Sequence, residues 1–579
     1  MARPISGKIM EDNIWVKQAN GSYYCYNRKR VWEDGRVKTV SKKLLGKSDT
    51  KGGELQPTRG KRSPVATAST QSMSEDVHVN ASRQHTGMMD IIDYIGKISG
   101  IDDDLYSITD CPTAEKIISI ARYIVGTDGQ TFPGIEEWML THPVPYVYPI
   151  TEDVYLNLFI DIGLDESLRQ SFFKCRFARE PDLVLLVAYD SSTENSVSKN
   201  PEARLGMNKD HNGKPAVKIL VLYSLHTRRP LAFFKQPANV PDIISIQNVI
   251  SQLKALGAKN VAIITDNGFT SDDNLGAILH SKHHSLTRVK TNRVWIKKEI
   301  DEHEDELNLA SNIMRNDLGV KGITIKLKRR FSYIRTYKST KKSLKAGERD
   351  YFEKTVYLHI YRDTCRKEKE DKDFISELLD IEKLIQRGEI LSEYAASLRD
   401  KYLNVEQNGE EIIVVRNNKA IDDACRNNGI FALVSDYFKD TNEALGLYRK
   451  REWIEDFYER LKQNADGDTS RTGDADKLYG RLFVQFIAMS YIEELHEMLR
   501  RMKEKLGVPN GNPEHDIKEN LDKEKELKQW LKHRSLYRIL KWFDAHDTIE
   551  VSPNIKKVRW STEVIARDML FLKLLGMFE

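Results

Sequence analysis

The pattern of apolar and polar positions changes character several times along the 579 residues. Over residues 1–47 the two alternate around aromatics in IWVKQANGSYYCYNRKRVWEDGRVKTVSKKLLG, with turn signals at Asn20-Gly21 and Asp34-Gly35, which predicts a small antiparallel sheet. Residues 48–87 are rich in Ser, Thr, Gly, Pro and charge and hold too few large apolar side chains to bury a core, so a flexible linker is expected. From Met88 to Phe177 the spacing turns helical in DIIDYIGKIS, AEKIISIARYIV and DESLRQSFFKC, with loops at Pro112, Gly126, Pro133 and Pro143-Val144-Pro145. A helical module over 88–177 follows.

Beyond it the pattern becomes β-rich: LVLLVAYD (183–190), VKILVLYSL (217–225) and PLAFFKQ (230–236) precede an amphipathic helix, IISIQNVISQLKALG, and VAIITD (261–266) is again a strand. The order is β-β-β-α-β. Two of these strands end on a carboxylate, Asp190 and Asp266, each followed by small or polar residues, Ser191-Ser192 and Asn267-Gly268. A lone strand-end Asp is more often a turn or cap residue. A pair of them at the ends of strands in one sheet is where catalytic groups gather.

A short helix (SDDNLGAILHS) and a strand (HSLTRVK) close this stretch, 178–290, and residues 291–440 then mix charged helical pieces with the β runs ITIKLK, TVYLHIYR, EIIVVRN and GIFALVSD, which reads as an inserted β-rich module. The segment 441–505 opens on ALGLYRKREWIEDFYERLKQN, predicted as one helix. On it Tyr448, Arg451, Glu455 and Lys462 fall within an arc of about 60°, opposite Trp453, Ile454, Phe457 and Leu461. One face packs and the other presents polar groups, an arrangement also common on plain surface helices with charge pairs such as Arg451 and Glu455. Residues 506–579 are expected to be helical.

Size adds that several domains are present, since single cores rarely exceed about 200 residues. With 40% hydrophobic and 30% charged residues and a mean hydropathy of −0.53, the chain suits ordinary cores. No apolar run approaches the roughly 18 residues needed to cross a bilayer and the N-terminal stretch lacks a secretory signal, so no membrane partner and a cytoplasmic, nucleoid-associated location are expected. Cys25, Cys111, Cys175, Cys365 and Cys425 are too scattered for a disulfide framework or a zinc ribbon. The net charge of +4 conceals two basic stretches, eight Lys/Arg in 28–47 and eleven in 321–350, either solvated surface or contacts to phosphates.

The ordered motifs resemble the insertion-sequence DDE transposases, in particular the insertion-sequence-four group. Its signature is Tyr, two residues, Arg, three residues, Glu, six residues, Lys. Here these are Tyr448, Arg451, Glu455 and Lys462, with every gap matching. The resemblance extends to Asp190-Ser191-Ser192-Thr193, Asp266-Asn267-Gly268-Phe269 and Asn239-Val240-Pro241-Asp242, over about residues 140–500. It implies an α/β fold with a ribonuclease H-like catalytic core, a mixed sheet of order β-β-β-α-β then helices. The β-rich insertion interrupts that core, and a small N-terminal β module and helical regions flank it. It also implies two-metal phosphoryl transfer on DNA, with Asp190 bridging two Mg²⁺ ions (Mn²⁺ may substitute) and Asp266 and Glu455 holding one each. Tyr448, Arg451 and Lys462 would grip phosphates of the transposon end. The implied partners are double-stranded DNA, as terminal inverted repeats and target, and a second copy of the chain in a synaptic homodimer, with the 88–177 module binding DNA ends.

Geometry alone does not choose Glu455 over Glu452 or Glu459, which sit near the same arc; the family register does. Relatives often carry a His shortly after the Lys, where this chain reads YGRLFVQFIAM with Arg481. Related enzymes hold a flipped base against an aromatic at the end of the insertion, and Phe431 stands at a comparable spot, with a strand-core role as the plainer reading. His280, His283 and His284 lack the companions of a zinc site, and no P-loop or H-E-x-x-H motif occurs. A ribonuclease H-like host nuclease, or a catalytically inactive transposase-derived DNA-binding protein, remains the alternative.

Overall fold

The computed structural model describes residues 9–18, 21–33, 36–56, 80–181, 184–206, 213–335, 347–408, 411–465, 467, 469–512, 515–552 and 558–578. Its central stretch begins with the strands Leu185–Ser196 (β1), Ala216–Ser224 (β2) and Pro230–Pro237 (β3). The helix Asp242–Ala255 (α1), the strand Val261–Thr265 (β4), the helix Asp272–His280 (α2) and the strand His284–Val289 (β5) follow. β1 and β2 are buried at every position, as near-continuous apolar strands covered on both faces should be. Later elements are Asp317–Ile334 (β6), Arg349–Asp363 (β7), Ile430–Ser435 (β8), and the helices Thr441–Arg449 (α3), Glu452–Asn464 (α4), Ala475–Lys505 (α5) and Leu536–Phe543 (α6).

The chain forms two units, one of residues 1–181, 191–240 and 453–579, the other of 182–190 and 241–452. In the first, β2 pairs antiparallel with β3 and neighbours β1. In the second, β1 runs parallel to β4, from Leu185 opposite Val261 to Ala188 opposite Ile264, and β4 runs parallel to β5, with α2 as their crossover. β1 is shared, so the strand orders β3-β2-β1 and β1-β4-β5 together are those of a ribonuclease H-like core within a large mixed sheet.

The expected insertion over 291–440 carries strands that join the core sheet. Its strands β6 and β7 form a long antiparallel hairpin, β7 pairs with β8 and β8 with β5, so they extend the core sheet of the second unit. Their apolar faces share one core, in which Leu275 and Leu279 of α2 meet Ile323, Leu358, Ile360 and Ala432. The EIIVVRN run instead pairs with 403–408 in a separate two-stranded ribbon packed on the helices Thr364–Gln386 and Glu393–Tyr402. The insertion is thus as helical as it is β.

In the first unit the 9–17, 23–33 and 36–48 strands make the expected N-terminal sheet. The helices of 87–178 include Glu152–Leu164, which crosses α5 so closely that a Cβ on Gly163 would lie 1.9 Å from the Asp476 carbonyl oxygen, and one on Gly480 1.9 Å from that of Phe159. Only glycine permits that approach. Two expectations change here. Residues 57–79 of the linker lie outside the described residues, but Asn80–His85 is a strand paired with Asp547–Ser552, so the linker ends earlier and the C-terminal region carries strands beside its helices.

Candidate active site

Asp190 and Asp266 belong to the same unit. Carrying the β1–β4 register two residues past Ala188 and Ile264 sets Asp190 abreast of Asp266, with both side chains on one face of the sheet. On the other face of β1, Tyr189 meets Phe269 at a ring separation of 5.0 Å, which anchors the short turn Asn267–Phe269 that Asp266 opens. Asp190 differs from expectation in one respect: β1 does not end there but runs on through Ser191 and Ser192 to Ser196.

Each carboxylate takes a donor from the end of α3. The Tyr448 hydroxyl donates to Asp266 at 3.0 Å, and the Arg451 guanidinium donates to Asp190 at 3.0 Å. Burial, then the Asp266 carboxylate, pushes the Tyr448 phenol up to about 12, so it stays a donor at neutral pH. The predicted single helix is broken at this point, because the Arg451 amide bonds to the Tyr448 carbonyl three residues back, a tightened turn between α3 and α4. Tyr448 therefore lies in the last turn of one helix and Arg451 in the turn after it, while Glu455 and Lys462 lie on the next helix.

In the first unit, α4 buries Ile454, Phe457, Tyr458 and Leu461 and leaves Glu455 and Glu459 exposed, the division the periodicity predicts. The Tyr458 hydroxyl donates to the Ile219 carbonyl of β2 at 3.1 Å and Phe457 packs on Tyr223, which together fix the helix rotation. Lys462 occupies the last turn of α4. Arg481 is buried and pairs with the buried Glu194 of β1 at 3.4 Å. The sequence carries no signal for that pair, since its partners are far apart in the chain.

Phe431 is only 9% exposed, stacks on Tyr361 at 5.0 Å and has Arg288 over its ring, so it sits as a strand-core aromatic. The three histidines do not converge: His280 stacks on Tyr333, His284 pairs with Asp436 and His283 is buried. Among the described residues no group of three or more His, Cys, Asp or Glu is gathered to hold a metal ion. Asp190 and Asp266 fit such an ion as a pair of hard oxygen donors on one face of the sheet. That pair is what the second unit offers.

The family of the transposase DDE domain matches residues 185–491, more than half of the chain, and spans every motif named above. The chain belongs to that family. Among solved structures, the cryo-EM structure of a piggyBac transposase synaptic complex with hairpin DNA is similar at 11% identity, covering 79% of this chain and 81% of that chain with a TM-score of 0.34. The fold assignment rests on strand order rather than on that likeness. A comparison with curated proteins gives no match. Among the described residues no helix is long and apolar enough to cross a membrane.

Proposed function

We propose that this chain is a DNA transposase of the insertion-sequence-four group, which binds transposon ends, cleaves DNA and joins the 3′ hydroxyl ends to target DNA. The observation that carries this reading is the pair Asp190 and Asp266, abreast on parallel strands and each held by a residue of the Tyr-x-x-Arg stretch. With Glu455 they are the three carboxylates of the family signature. Bound there, Mg²⁺ or Mn²⁺ would stabilise the entering and leaving oxygens of in-line phosphoryl transfer. Arg451 holds Asp190 aimed until DNA arrives, and its planar fork suits a phosphate as well as a carboxylate. Tyr448, protonated at neutral pH, positions Asp266 without adding a charge. Lys462 serves as a point contact to a phosphate further along the end, and the N-terminal sheet and the 88–177 helices recognise the ends. Joining two ends calls for two copies of the chain in the synaptic complex.

The test uses the full-length chain, duplexes carrying the inverted repeats that flank its gene, a supercoiled target and Mg²⁺. Joined end–target products are expected; cleavage without joining supports a host nuclease instead, and binding without either supports an inactive derivative. Glu455→Gln should abolish cleavage while Glu452→Gln and Glu459→Gln retain it. Loss in Glu452→Gln or Glu459→Gln with activity kept in Glu455→Gln overturns the register.

A further inference from the structure

On a face of α4 turned away from Glu455, the first unit forms an open-mouthed cavity of about 310 Å³. Its walls come from four separate stretches of chain: the end of β2 and the turn after it, α4, the second half of α5, and the start of α6. Five cationic side chains line it, Arg228, Arg460, Arg500, Lys503 and Arg534, against three carboxylates, Asp456, Glu493 and Glu497.

The carboxylates are already committed or marginal. Glu493, 3% exposed, receives the Tyr223 hydroxyl at 2.6 Å and both arms of the Arg460 fork at 2.7 and 3.0 Å, so that group is closed. Glu497, one turn further along α5, faces three guanidiniums: Arg500 and Arg501 at 2.7 Å and Arg228 at 3.7 Å. Asp456 is exposed at the rim. Glu504 also pairs with Arg500, so Glu497 and Glu504 together answer three arginines, and Lys503 and Arg534 add to the excess of positive charge.

The cations are also held in place. Arg228 has a φ of +58°, a left-handed conformation that a non-glycine residue adopts at some cost, and its guanidinium lies 3.7 Å from the Trp453 ring centroid. Arg534 is held by the Trp530 carbonyl at 3.0 Å and by the Trp530 ring. Lys and Arg in the last turns of α5 are ordinary complements to a helix C-terminus. Arg228, Arg460 and Arg534 come from other elements, so the helix end does not account for the cluster. α6 starts at the same cavity, with Ser535 as its N-cap and Leu536 as its first residue, and adds the positive end of its dipole. Burial, then Arg460 and Lys503, hold the His496 imidazole down to about 4, so it stands neutral among these cations.

We propose that this cavity is a phosphate-binding pocket, built by Arg228, Arg500, Lys503, Arg534 and the N-terminus of α6. Arginine forks match tetrahedral oxyanions, and the volume suits a phosphate with part of its ester. The phosphate is either a nucleic-acid backbone group, an arm that rests on the transposase reading, or a free phosphate, an arm that does not.

The experiment uses the full-length chain and the Lys503→Gln/Arg534→Gln variant, whose far-UV circular dichroism shows whether it folds. Thermal unfolding is read in inorganic phosphate and in chloride at equal ionic strength, and duplex DNA binding is read across salt. Phosphate should raise the parent Tm by about 3 °C over chloride, and the variant should lose that rise. A backbone phosphate is the ligand if the salt slope of duplex binding also falls by about one to two in the variant. A lost Tm rise with an unchanged slope supports the pocket with free phosphate as its source. No phosphate-specific rise in the parent together with an unchanged slope overturns the proposal. Failure of the parent to bind DNA at all would sink the transposase reading while leaving the phosphate arm standing.

Discussion

Two charged regions of this molecule are mirror images in sign. Asp190 and Asp266 stand abreast, and the donors bonded to them from α3 and its end are one guanidinium and one neutral phenol. Around Glu497 three guanidiniums gather, with Glu504 also on one of them. Each region gathers side chains of mainly one sign, and that sign names the ligand class: a hard cation for the carboxylates, an oxyanion for the arginines. Gathering like charge in a partly buried place is costly, and binding of the opposite charge offsets the cost.

The comparison breaks most visibly at the acidic pair. Asp190→Asn and Asp266→Asn should each lower cleavage of end DNA in Mg²⁺ by about a thousandfold or more while leaving the fold intact. Near-parental cutting by either variant removes that residue from the chemistry. Arg451→Ala takes away the partly buried guanidinium on Asp190, whose side chain is 10% exposed, and should destabilise the protein at pH 7 by about 3 kcal/mol. Mg²⁺ should then raise the Tm of this variant more than that of the parent, since a cation replaces the lost one. An equal rise in both would show that the two carboxylates do not share a cation site.

A carboxylate governed mainly by burial separates burial from pairing. Burial is the largest influence on Glu115 and pushes it up to about 7, against a smaller opposing bond from Cys111. Its folded value lies above its unfolded one, so its contribution to stability is complete below about pH 4.5 and is lost as pH rises through about 7. Glu115→Gln should therefore be more stable than the parent at pH 8 by about 2 kcal/mol, allowing for partial exposure, with the difference vanishing near pH 4. Chemical denaturation at the two pH values checks this, and a constant difference would contradict it. The smallest effect is expected of Lys462→Ala, which should reduce the salt slope of end binding by about one and leave the Mg²⁺ dependence of cleavage unchanged.

Much of this was legible in the chain. The apolar runs that make β1 through β5 announce themselves because buried parallel strands need unbroken hydrophobic stretches, and the acidic motifs stand at fixed places after them. What was hidden depends on partners distant in sequence. β1 continues past Asp190 through a polar stretch because its end pairs with Thr469–Ser470 and Arg481 answers Glu194. The helical period runs unbroken from Tyr448 to Lys462, yet the chain turns at Arg451, whose side chain bonds to Asp190. Asn80–His85 has no strand pattern and becomes one only against Asp547–Ser552. The cationic cavity draws on four separate stretches, none of which carries a motif.

The most direct test of the central claim is Mn²⁺ titration of the full-length chain, with bound ion read by electron paramagnetic resonance in the parent, Asp190→Asn and Asp266→Asn. Tight Mn²⁺ binding in the parent, lost in both variants, is the predicted result. Undiminished Mn²⁺ binding in both would contradict the assignment of Asp190 and Asp266 as the metal-holding pair.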